Sequence, residues 1–123
     1  MITWLVHFNT KNEDKIPGLL KQIQENLNQF RRKSLDNVLI TEIQREIYHK
    51  DGNWRVRFTT PKISPLWDFQ ITNTLRLAQT LAYDWKIMGD CDGVLEGIAS
   101  ERFRLSGILW IHWQIAKDSN VQK

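Results

Sequence analysis

Disulfides, long apolar runs and long charge tracts are what this chain lacks. A single cysteine, Cys91, excludes an internal disulfide and favours a reducing, cytoplasmic setting. No apolar run approaches the roughly 20 residues that cross a bilayer, so no membrane association is expected. The opening MITWLVHFNT has no basic segment and turns polar by Asn9, unlike a signal peptide. No Lys/Arg run exceeds the triplet at 31–33, and the net charge is only +3, so a polyanionic partner is permitted but not demanded. The six glycines spell neither G-x-G-x-x-G nor G-x-x-x-x-G-K, and no cofactor is implied. Repeats, low-complexity tracts and linkers are missing too. A single α+β domain over 1–123 is the expectation, long enough to bury a core without disulfides or a structural metal.

Against these absences stand six tryptophans in 123 residues. A large aromatic buries about 150–250 Å², so each needs a place in a core or an interface. Two of them, Trp110 and Trp113, lie three apart in SGILWIHWQIAK, residues 106–117. On a strand that spacing puts them on opposite faces. Trp113 is expected in the core and Trp110 on the far side.

The rest of the pattern supplies the layers. Residues 2–8 alternate, with Ile2, Trp4, Val6 and Phe8 on one side of a strand. Asn12 or Asp14 caps a helix with Pro17 near its start, and Ile16, Leu19, Leu20, Ile23, Leu27 and Phe30 form its stripe. The basic triplet at 31–33 suits the negative end of that helix. Residues 38–60 read as a hairpin closed by Asp51-Gly52, a type I′ turn signal. Its two-residue loop sets Ile47 opposite Val56, Tyr48 opposite Arg55 and Glu46 opposite Arg57. Ser64-Pro65 opens a second helix with the stripe Ile71, Leu75, Ala78, Ala82 and Trp85, widened by Leu77 and Leu81. GDCDG at 89–93 is a turn, 94–100 a strand weakened by Gly97, and 108–116 the last strand. The order β-α-β-β-α-β, with extra strand material near the C-terminus, predicts a ferredoxin-like two-layer sandwich: an antiparallel sheet with two helices on one face.

Two helices on one face leave the other open. Trp54, Val56, Phe58, Leu109, Ile111, Trp113 and Ile115 are expected inward. Leu5, His7, Glu46, Tyr48, Arg55, Arg57, Ile108, Trp110 and His112 are expected to form a binding surface on the open side. An apolar patch rimmed by polar residues marks an interaction site. The expected function is that of a small, non-enzymatic partner-binding protein of regulatory, adaptor or immunity type. It would be a homodimer through that face, or bind a heterologous protein there.

Two alternatives use the same face. A single-stranded nucleic acid could stack on Trp110 or Tyr48 with Arg55 and Arg57 on its phosphates. Glu42 and Glu46 oppose this, and GNWRVRF departs from the RNA-recognition signature. A small metal-assisted enzyme could use His7, His112 and Glu46, though no local ligand spacing supports a metal site. No other catalytic residue is assigned. Asp90, Cys91 and Asp92 read as turn residues, and the serines lack a nucleophile-elbow context.

Overall fold

The computed structural model describes residues 1–29 and 38–117. Phe30 and the basic triplet, read from sequence as the end of the first helix, lie outside the described residues. Six strands form one antiparallel sheet: β1 (Ile2–Phe8), β2 (Thr41–Ile47), β3 (Trp54–Thr60), β4 (Lys86–Gly89), β5 (Val94–Ala99) and β6 (Ile108–Ala116). Helix α1 (Ile16–Asn28) follows β1, and α2 (Trp67–Gln79) follows β3. The strand order is β2-β3-β1-β6-β5-β4.

That order and strand count overturn the ferredoxin-like layout expected from sequence. Residues 86–99 do not add loose strand material. They form a complete hairpin, β4–β5, whose turn is closed by Asp90 N–H on the Val94 carbonyl (2.8 Å) and Gly93 N–H on the Asp90 carbonyl (3.0 Å). β5 then pairs along the far side of β6, so β6 becomes an interior strand. All four residues of β4 are exposed, so the strand shows no apolar–polar alternation in the sequence.

The core is built on one side of the sheet. Leu20, Ile23 and Leu27 of α1 join Leu77 and Ala78 of α2 in one cluster with Trp4, Val6, Val56, Phe58, Ile111 and Trp113. Both helices therefore cover the same face. Asn12 accepts the Asp14 N–H at 2.9 Å and caps a short 3₁₀ turn, Glu13–Lys15, that leads into α1. α2 keeps most of its expected stripe, with Ile71 packed against the core and Leu77 and Ala78 within it. It buries Gln70, Thr74, Leu77 and Ala78, and Leu75 remains 37% exposed. The Thr74 hydroxyl donates to the Gln70 carbonyl at 2.7 Å, so it needs no partner from the core. The helix ends at Gln79, and Ala82 reaches the core from a bridge to Phe103 instead.

The β2–β3 register also differs from expectation. Ile47 faces Trp54 and Glu46 faces Arg55, two residues away from the predicted pairing. The connection is a longer loop in which Gly52, at φ +76°, donates its N–H to the Tyr48 carbonyl at 2.7 Å. Asp51 braces this loop through both carboxylate oxygens. One accepts the Asn53 N–H at 2.8 Å, and the other meets His7 Nε2 at 2.9 Å. A shift of two residues keeps Gln44 to Ile47 on their expected faces, while the irregularity beyond Gln44 sets Thr41 opposite Thr59.

β2 is an edge strand exposed along its whole length. Charges at Glu42, Arg45 and Glu46, and an irregularity between Thr41 and Gln44 where Glu42 has φ 55°, blunt it against unwanted pairing.

Candidate functional site: the open sheet face

Pairing across the sheet arranges the uncovered side chains in rows. The central row runs Gln44, Arg57, Leu5, His112, Ile98, Lys86 from β2 to β4. Above it lie Glu46, Arg55, His7 and Trp110. Below it lie Thr59, Thr3, Gln114, Glu96 and Met88. Leu5, Ile98, Trp110 and His112 are half-buried and central, and the ionised groups stand to either side.

The parity argument for the tryptophans holds. Trp113 is fully buried under the helices, packed 6.5 Å from Trp85. Trp110 lies on the opposite face against His7, with ring centroids 5.3 Å apart. Ile108 is a correction: it was expected on the open face and is buried in the core, while Leu109 is 37% exposed. An irregularity between His7 and Phe8 brings Phe8 opposite Ile108 and inverts the alternation there.

His7 is the most deeply placed polar group of this face, only 2% exposed. Asp51 bonds its Nε2, Tyr48 meets its ring edge-on at 5.3 Å, and its Nδ1 has no partner. Arg55 lies 4.6 Å over the Tyr48 ring and donates to Glu46 at 2.5 Å. His112 meets Glu96 at 2.7 Å. The partners Asp51 and Glu96 were missed in the sequence. Asp51 carried an ordinary turn signal, and Glu96 sat in a strand whose neighbours were unknown.

Asp51 titrates below its ordinary value of 3.8, first because the Asn53 backbone N–H stabilises its charged form, and further because His7 sits beside it. A depressed carboxyl pKa adds stability that is complete above the ordinary value and is lost as pH falls through the lowered one. Acid titration of unfolding should therefore show a loss below about pH 4 that is shallower in Asp51→Asn. Equal slopes in the two proteins would show that the carboxylate contributes nothing.

The metal alternative finds no assembled ligand set. Glu46 is held by Arg55, and His7 and His112 each bond a different carboxylate. No group of three or more metal-type side chains occurs among the described residues. For the nucleic-acid alternative, Tyr48 and Trp110 both stay partly exposed while packing on His7. Arg55, Arg57 and Lys86 are balanced on this face by Glu46, Asp51 and Glu96. Among the described residues, no helix is long and apolar enough to cross a membrane. Comparison of the chain with protein families, with curated proteins and with solved structures finds no match.

Proposed function

We propose that this is a cytoplasmic, non-enzymatic partner-binding protein of regulatory or adaptor type, and that its open sheet face docks a second copy of the chain. The observation that carries the reading is the half-exposed centre of Leu5, Trp110 and Ile98 on a face that neither helix covers. A buried aromatic anchor inside a polar rim is the arrangement in which a few residues supply most of the binding energy.

The size of the face supports the same reading. Six strands about 4.8 Å apart and seven residues at about 3.4 Å give a footprint of roughly 700 Å². A standard interface buries about 800 Å² on each partner. Sedimentation velocity should show concentration-dependent dimerisation. Trp110→Ala should weaken it by about thirtyfold, the effect of a hot-spot residue. A protein that stays monomeric at every concentration, with Trp110→Ala indistinguishable from wild type, would overturn the proposal.

A further inference from the structure

The ionised groups carried by the strands of the open face alternate in sign from edge to edge; Asp51, in the β2–β3 loop, stands outside the series and is engaged by His7 and Asn53. β2 presents Glu46, β3 presents Arg55 and Arg57, and β1 and β6 carry no carboxylate, Lys or Arg in the three rows. β5 presents Glu96, and β4 presents Lys86. Read across the sheet, the signs run minus, plus, none, none, minus, plus. Reversing that series inverts every sign, so the face is electrostatically complementary to its own reversed copy.

The geometry points to a specific dimer, which rests on the self-docking reading above: two open faces stack about a two-fold axis that runs parallel to the strands between β1 and β6. That axis lays β1 on the partner's β6, β3 on its β5 and β2 on its β4. The positive β3 then faces a negative β5, the negative β2 faces a positive β4, and the apolar centres meet on the axis. A two-fold axis perpendicular to the strands does the opposite. It lays each strand on its own counterpart and opposes like charges at all four outer strands, which is costly when they are desolvated. Aligned packing is also one of the two ways that sheets stack.

Two further features fit this arrangement. Arg57 and Lys86 make no ion pair among the described residues, so both are available to a partner. Arg57 and Glu96 occupy adjacent rows, about 7 Å apart along the strand, within the reach of an arginine side chain across stacked sheets. An isologous dimer makes each such contact twice.

Charge reversal tests the axis. Arg57→Glu alone and Glu96→Arg alone should each weaken dimerisation by about tenfold or more, because each opposes like charges at both contacts. An equimolar mixture of the two variants should restore association to within a few-fold of wild type. In the mixed dimer, one contact is native and the other carries both charges exchanged. Glu46→Lys with Lys86→Glu repeats the test at the outer strands without disturbing His112. All four positions are at least partly exposed, and thermal unfolding verifies that the variants fold. A wild-type chain that never dimerises would sink the self-docking reading itself. A wild-type dimer whose variants associate unchanged, or whose mixtures fail to recover, would overturn the axis and leave that reading standing.

Discussion

Gly97→Ala is expected to destabilise the protein by about 3 kcal/mol, the upper part of the range for overpacking a closed core. Gly97 pairs directly with Trp113 across β5 and β6. A Cβ at position 97 would lie 2.5 Å from the indole, a separation real Cβ atoms do not show. The ring has no room to retreat, because it is fully buried and packed against Trp85. Relief requires moving β5 away from β6 or forcing the indole off its rotamer. For a chain of this length the loss corresponds to a fall of roughly 10 °C in Tm. Gly18→Ala is the control. Gly18 lies in the first turn of α1 with nothing within 4 Å of a new Cβ, and alanine there should be neutral or stabilise by up to about 1 kcal/mol. If Gly97→Ala unfolds within a degree or two of wild type, the indole does not lie on that glycine.

Trp113→Ala is expected to cost about 3–5 kcal/mol, the range for removing a buried aromatic. Its side chain is fully buried in the layer between sheet and helices. Trp113→Phe should cost much less, because the buried indole N–H has no hydrogen-bond partner to lose. Trp110→Ala should change stability by less than about 1 kcal/mol and act on association instead, since its face has no second layer. Chemical denaturation of the three variants checks the pattern. Comparable losses for Trp110→Ala and Trp113→Ala would mean that both rings belong to the same core.

Much of the local architecture was legible in the chain. The alternation at 2–8 and the spacing of Trp110 and Trp113 depend only on the two-residue period of a strand, which no distant contact alters. The faces of β3 and of Gln44 to Ile47 in β2 were legible for the same reason, and they survived an error of two residues in the register. The turn itself was misread, and the bond from Asp51 to His7, a residue 44 positions away, is one that no local propensity reports. Gly97 looked like a weak point in a strand, yet it is where the largest core side chain lies against the neighbouring strand.

The candidate site was partly legible. Leu5, His7, Glu46, Arg55, Arg57, Trp110 and His112 share the open face as their alternation implied. Ile108 does not, because a register irregularity of the β1–β6 pair inverts the parity at that point. Glu96, Ile98 and Lys86 could not be placed on that face from sequence, since their strands had no known neighbours. The sign alternation across the sheet became visible only with the strand order.

Periodicity was enough to set one tryptophan inward and one outward on the last strand, because that property follows from backbone geometry within a single segment. Folding in three dimensions added the order of the six strands, the loop drawn to His7 and the distribution of charge across the sheet. Each of these depends on pairings between residues far apart in the chain, and pairing energy is read across strands rather than along them.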